Sequence, residues 1–304
     1  MLSEHGVPIA PRTFHAWAKR APSKRALWDA TITEILAGYY EPDEHGRKKP
    51  ESLYGSLKMW AHLQREGIPV AKSTVERLMR RNGWQGVRRC RTVRTTIADP
   101  DAVRPPDLVD RQFGVGAPNM LLVADFTYVK LVTGVFVYVA FVIDAYAGAI
   151  VGWEASASKH TRFVESAIRQ AAALRRRQGH PIDGAIHHSD AGSQYTSVRF
   201  GETLSLSGIR PSVGTVGDAY DNALAETTIG LYKNECVRAD SPFRCGPLNT
   251  RGDVEYITAD YVAWYNQARL MHRLRRVPPA EAEARYYSEL VTDRPAGSQN
   301  PEGA

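Results

Sequence analysis

Residues 121–130 read Leu-Leu-Val-Ala-Asp-Phe-Thr-Tyr-Val-Lys, an apolar, β-branched and aromatic run interrupted by one carboxylate, Asp125. Such a run predicts a largely buried strand. A carboxylate inside it is costly unless something pairs with it. Asp125 is therefore either satisfied structurally or placed at an open sheet end, where it does chemistry. Two later segments favour chemistry. Residues 186–190, Ile-His-His-Ser-Asp, predict a short strand ending in Asp190. Residues 221–226, Asp-Asn-Ala-Leu-Ala-Glu, open a helical stretch with Glu226 on its first turns. Residues 191–225 separate Asp190 from Glu226, so three acids stand on strand, strand end and helix with the spacing D-D-35-E.

The words around these acids are more specific than the acids themselves. Residues 123–129 (VADFTYV), 188–197 (HSDAGSQYTS) and 220–226 (YDNALAE) resemble the catalytic core of bacterial insertion-sequence transposases. The family in question encodes two overlapping frames, OrfA and OrfB, and the chain resembles the OrfB product, of the retroviral-integrase superfamily. The resemblance runs from about residue 6 to 287. It departs from the family at Leu122, where members often carry Trp, and at Ala191, where Arg or His is usual. It implies an α/β fold: a ribonuclease-H-like integrase core with a mixed five-stranded sheet, an N-terminal helix-turn-helix module and a C-terminal helical extension. It also implies that the first and fourth strands are neighbours, which brings Asp125 and Asp190 to one sheet edge under Glu226.

The 304 residues suffice for one substantial core with accessory domains. The formal charge of +6 suits a polyanionic partner without requiring one. Cys90, Cys236 and Cys245 are widely spaced and odd in number, so they predict neither a metal-ligand pair nor a disulfide framework and read as reduced cytosolic thiols. No apolar run approaches a membrane span, and the start is no signal peptide. These features predict a cytoplasmic, nucleoid-associated protein.

In chain order, residues 1–49 predict an accessory helical region, with Ile32, Ile35, Leu36 and Tyr39 on one face of its longer helix. Residues 50–94 predict a helix-turn-helix module. A helix over 54–65 is followed by a turn at 66–69 and by a second helix whose Ser73 and Glu76 fit a capping box. Between residues 72 and 94 stand eight Lys or Arg and one acid, a density that a phosphate backbone rewards through counterion release. Lys72, Thr74, Arg77, Arg80, Arg81, Arg88 and Arg89 are the candidate DNA contacts there. Residues 95–119, rich in proline and glycine, predict a linker.

Residues 120–238 predict the catalytic core: a three-strand meander, a helix over 161–177, a fourth strand, a helix over 197–205, a fifth strand, a loop at 214–217 and one helix over 220–237. Asp144 falls in a hairpin turn and Asp221 at a helix start, where carboxylates have local uses. His187 and His188 are adjacent on a strand and so point to opposite faces, which predicts packing or phosphate contact rather than shared metal ligation. Lys233 lies two helical turns beyond Glu226, on the same face, at a place where the family has a basic residue that meets the DNA end. Gln194 is a further candidate DNA contact. Residues 239–291 predict a helical basic region containing Arg269, Arg273, Arg275 and Arg276, and residues 292–304 a disordered tail.

Three carboxylates without Cys or His partners suit Mg²⁺ or Mn²⁺ over zinc. Phosphodiester exchange by a two-metal clamp fits that donor set. The expected assignment has Asp125 bridging two ions, with Asp190 on one and Glu226 on the other. The expected reaction is cleavage of double-stranded DNA at transposon ends and transfer of the freed strand, with the OrfA product or an OrfA–OrfB fusion as partner and a homo-oligomer assembled on DNA. Two other readings compete: a ribonuclease-H-like nuclease without strand transfer, and a DNA-binding regulator without catalysis. The first has no use for the basic modules, and the presence of all three acids counts against the second.

Overall fold

The computed structural model describes residues 10–87, 114–189, 194–195, 197–213 and 223–292. The chain divides into two units, Met1–Gln85 and Gly86–Ala304.

The first unit contains α1 (Pro11–Ala18), α2 (Lys24–Tyr40), α3 (Ser56–Arg65) and α4 (Lys72–Arg81), with a 3₁₀ turn at Pro50–Leu53. Ser23 caps α2 by accepting from the Ala26 N–H. The buried stripe of α2 is Ile32, Leu36 and Tyr40, spaced by four; the inward tyrosine is Tyr40, not Tyr39. Its hydroxyl donates to the Tyr54 carbonyl at 2.6 Å, and its ring stacks on Trp84. Met59 and Leu63 of α3 and Val75, Leu78 and Met79 of α4 complete this small core.

The capping box expected at Ser73 does not form. The helix begins at Lys72, two residues before the start that an N-cap at Ser73 implies, and its N-cap is Ala71, which has no side-chain acceptor. The turn is closed from α3 instead. Trp60 Nε1 and Gln64 Nε2 each donate to the Val70 carbonyl at 3.0 Å, and Val70 is buried. Pinning Val70 fixes where the next helix starts, and Ser73 falls inside its first turn.

The second unit is built on a five-stranded sheet of order β3-β2-β1-β4-β5. The strands are β1 (Leu121–Lys130), β2 (Phe136–Asp144), β3 (Ile150–Ser156), β4 (Ile186–Ser189) and β5 (Arg210–Val213). The first three form the expected antiparallel meander, while β4 joins β1 and β5 joins β4 in parallel. Gly134 turns the β1–β2 hairpin at φ 85°, a left-handed conformation that glycine adopts without strain. On one face of the sheet lie α5 (Arg162–Arg177) and α6 (Val198–Leu206). Beneath them Leu122, Ala124, Ala140, Val142 and Val151 pack against Phe163, Ala167, Ile168 and Phe200. Gly152 lets α5 approach β3 closely: a Cβ there would meet the Ala167 carbonyl oxygen at 2.2 Å.

The other face receives α7 (Ala223–Tyr232), which packs on β1, and α8 (Arg251–Gln267), which packs on β3. A last helix, α9 (Pro279–Thr292), lies against α8, in the stretch 239–291 expected to be helical. The single helix expected over 220–237 is divided. The α-helix ends at Tyr232, and Lys233–Val237 is a π-helical turn. That wider turn carries Glu235 inward, where its carboxylate takes two hydrogen bonds from Arg269, at 2.6 and 2.7 Å, and one from the Tyr261 hydroxyl at 3.1 Å. One member leaves the expected C-terminal basic patch at this point: Arg269 is buried in this ion pair, whereas Arg273 and Arg275 are exposed, Arg273 also donating to the Tyr146 carbonyl. The linker expected over 95–119 and the tail over 292–304 lie mostly outside the described residues, as do the 214–217 loop, Asp221 and Cys90. Cys236 is a buried and Cys245 an exposed free thiol.

Candidate active site

Asp125 stands on the central strand of the sheet. Among the described residues β4 pairs with β1 from Leu121 to Ala124, with Ser189 opposite Ala124, the residue before Asp125. The carboxylate is half-buried, and one of its oxygens accepts from the Phe126 N–H at 2.7 Å.

Strand alternation gives its direction. Leu122 and Ala124 belong to the core beneath α5 and α6, so Asp125 faces the opposite side. Its cross-strand partner is Phe141, whose ring contacts Tyr232 of α7 at 5.0 Å. Asp125 therefore faces the side on which α7 lies. On that helix Ala225, Thr228, Ile229 and Tyr232 are buried, and Glu226 is exposed at the flank of the buried stripe, in the first turn. Fold and helix register thus place Asp125 and Glu226 on one side of the sheet. Asp190 lies outside the described residues; it directly follows Ser189, the end of β4.

The two histidines pack, each on its own side. His187 lies against Phe200 and Tyr195, and burial pushes its imidazole down to about 3, so it is neutral. His188 is buried with Nδ1 2.9 Å from the Ser212 hydroxyl, a bond that ties β4 to β5. Neither ring is exposed to meet phosphate. Asp144 is the last residue of β2, and one of its oxygens accepts from the Tyr146 N–H at 3.0 Å, a local bond of the turn kind. Its other oxygen accepts from the Asn119 N–H and from Arg175. Arg175 also makes two 2.7 Å bonds to Glu283 of α9, so Asp144 belongs to a buried structural ion cluster. Sequence reasoning did not find this cluster. The available signal was an arginine continuing the inward stripe of α5, after Val164, Ile168 and Ala171.

Among the expected DNA contacts, Lys72, Arg80 and Arg81 are exposed on α4, and Thr74 is half-buried. Arg77 differs: it bonds Asp29 of α2 at 2.7 Å, which lowers the Asp29 carboxyl through that hydrogen bond, and so it also ties two helices together. Arg88 and Arg89 lie outside the described residues. Gln194 donates to the Lys159 carbonyl at 3.2 Å. Lys233 is the first residue of the π-helical turn, and its ammonium lies 4.9 Å from the centre of the Tyr128 ring.

Comparison with known proteins bears on the whole chain. An integrase core domain family matches residues 116–219, a second integrase core model matches residues 207–279, and an HTH-like domain matches residues 30–92. A putative transposase for insertion sequence element IS986/IS6110 of Mycobacterium tuberculosis is 47% identical over 291 residues, covering 95% of this chain and 99% of the relative. The chain belongs to the insertion-sequence transposases. The transposase for IS629 of Shigella sonnei is likewise 47% identical, over 94% of this chain and 91% of its own length. Among solved structures, the HTLV-2 integrase catalytic core domain in complex with magnesium aligns over 56% of this chain and 99% of its own, at 21% identity and a TM-score of 0.43. This transposase thus joins an HTH-like domain to an integrase core whose sheet order matches the expectation from the sequence. Among the described residues no helix is long and apolar enough to cross a membrane.

An HTH-like domain with an exposed basic helix leads to a first prediction. Replacing Lys72, Arg80 and Arg81 with glutamine should weaken DNA binding and reduce the slope of log K against log salt by up to about 0.9 for each lost phosphate contact. Arg77 is best left in place, since its loss would also remove the bond to Asp29. A titration by fluorescence anisotropy at several salt concentrations measures the slope; an unchanged slope would exclude this face from phosphate contact.

Proposed function

We propose that this transposase cuts and rejoins double-stranded DNA at the ends of its element, with Asp125, Asp190 and Glu226 as its catalytic and metal-binding acids. The observation that carries the reading is the position of Asp125: on the central strand, next to Ala124, which pairs with Ser189 of β4, and facing the side that α7 covers. Glu226 stands on the first turn of that helix, and Asp190 is the residue after β4. The donors are carboxylate oxygens alone, and both nearby histidines are buried in other contacts, so the set suits Mg²⁺ or Mn²⁺ rather than a softer metal.

In this reading Asp125, Asp190 and Glu226 would hold the ions, with Asp125 shared between two of them, Asp190 serving one and Glu226 the other. When bound, such a pair lowers the pKa of an attacking hydroxyl and neutralises charge at the phosphate in flight. The protein's share is placement. β1 and α7 fix the carboxylates on rigid elements, so little reorganisation is needed during the reaction. Water serves as the first nucleophile and a 3′-hydroxyl as the second, and no side chain becomes covalently attached to DNA. Residues 50–94 act as the DNA-binding module, 120–238 as the catalytic core and 239–291 as its helical extension. The protein works in the cytoplasm, on the nucleoid.

The chain contains no sustained heptad run that would pair two copies. Synapsing two ends needs symmetry and more contacts than one helix-turn-helix supplies. The OrfA product or an OrfA–OrfB fusion would provide them, and the working form would be an oligomer on DNA. The test is Mg²⁺-dependent nicking and joining of duplexes carrying the element's ends, with scrambled duplexes as competitors. The isolated chain should show little end preference and join poorly, and fusion to the OrfA segment should raise both. Nicking without joining in either form would favour a plain nuclease.

A further inference from the structure

Between Asp260 and Glu281 the chain holds no acid, but four arginines and a histidine. Arg269 is spent on Glu235. The other three arginines crowd into the loop after α8, where a bridge between Met271 and Val277 closes residues 272–276. The loop opens as one helical turn, with the Leu274 N–H donating to the Met271 carbonyl. It ends as helices commonly end: the Arg275 N–H donates to the His272 carbonyl at 3.1 Å and the Arg276 N–H to the Met271 carbonyl at 2.8 Å.

That ending calls for a left-handed residue, usually glycine. Here Arg275 and Arg276 stand in its place, at φ 56° and 65°. In that conformation a Cβ crowds the following carbonyl, a strain that glycine escapes. Packing does not explain Arg275, whose side chain is exposed. Ion pairing does not explain it either. Among the described residues no carboxylate pairs with Arg273, Arg275 or Arg276, and the Nε of Arg276 is buried without an acceptor. Asp144, the acid whose field reaches Arg273, is already bonded to Arg175. Backbone strain kept without a packing return marks a residue held for what its side chain does.

Resting on the reading that this chain acts on double-stranded DNA, we propose that residues 272–276 form a phosphate clamp on the DNA backbone, with Arg275 as its main contact. A guanidinium offers a fork of donors that matches two phosphate oxygens, and the exposed His272 and Arg273 add to the local field. The clamp stands apart from the acids. Arg273 donates to the Tyr146 carbonyl, in the turn whose Ala145 N–H bonds the Leu121 carbonyl at the start of β1. Asp125 is four residues further along that strand, about 13 Å at the rise of an extended chain. The clamped phosphate is therefore several base pairs from the one being cut, and the loop contributes binding rather than chemistry.

The test titrates full-length protein, without divalent metal, against a fluorescent duplex of arbitrary sequence at several salt concentrations. Arg275→Gly should weaken binding about threefold to tenfold and lower the slope of log K against log salt by about 0.9. The loss should be the same on a duplex carrying the element's ends, because a backbone contact reads no sequence. The melting temperature of Arg275→Gly should hold or rise, since glycine relieves the strain. Arg275→Asn, which also tolerates the left-handed region, should show the same loss of slope. A parent-like slope in both variants would overturn the clamp. A lowered melting temperature in both would overturn it too, since the side chain would then serve the fold. So would dissociation of an oligomer in sedimentation with the slope unchanged, which would turn the loop toward acidic groups of a protein. Failure here is distinct from failure of the catalytic reading. Arg275→Gly should cleave normally at saturating DNA, whereas Asp125→Asn should lose cleavage and keep the salt slope.

Discussion

Asp125→Asn should abolish strand cleavage and joining, by about three orders of magnitude or more, while leaving DNA binding within a few-fold of normal. Glu226→Gln should do the same. The substitutions are nearly isosteric, so β1 and α7 keep their packing and only the anionic oxygens are lost. The effect on stability should have the opposite sign. Asp125 is a carboxylate in a strand that is otherwise mostly apolar, half-buried on the face toward α7. In the proposed site, acids gathered there would, without cations, repel one another and lose hydration. Removing one charge should therefore leave the protein as stable as before, or more stable by about 0.5–2 kcal/mol, the usual trade between activity and stability. Adding Mg²⁺ should then raise the melting temperature of the parent and much less that of Asp125→Asn, because a ligand stabilises only the state that binds it. Single-turnover cleavage and thermal melts with and without Mg²⁺ measure the two effects. Full activity in either variant would remove that residue from the site.

How much of this was legible in the sequence differs by element. The meander was readable because its strands are apolar runs separated by Thr133-Gly134 and by residues 145–149, and the observed β1 spans the residues expected of it. The parallel placement of β4 beside β1 is a long-range pairing that periodicity cannot give; it came from the resemblance carried by the words around the acids. The interruption at Lys233 was not readable. Counting seven residues from Glu226 assumes an unbroken α-helix, whereas the π-helical turn carries Glu235 inward to an arginine 34 residues later. Arg269 looked like surface charge for the same reason: one basic residue in a group of four carries no mark of being buried. Arg175 and Asp144 were hidden likewise, since each finds its partners on other elements. Capping at Ser73 failed through tertiary override, the start of α4 being set by two side chains of α3.

Arg269→Met should destabilise the second unit by about 3–5 kcal/mol, the cost of leaving a buried carboxylate without its partner. Glu235 is 4% exposed, and with Arg269 gone its hydrogen-bond donor among the named contacts is the Tyr261 hydroxyl. Arg269 is equally buried, and although burial works against its charge, the Glu235 carboxylate more than offsets this and holds its pKa above the ordinary arginine value. Breaking the pair from the other side, with Glu235→Leu, should therefore cost a similar amount. Replacing both residues should cost much less than the sum, because two apolar side chains remove both desolvation penalties together. Urea melts of the four proteins give the coupling energy; a double variant destabilised by the full sum of the two single variants would show that the two side chains do not act as a pair.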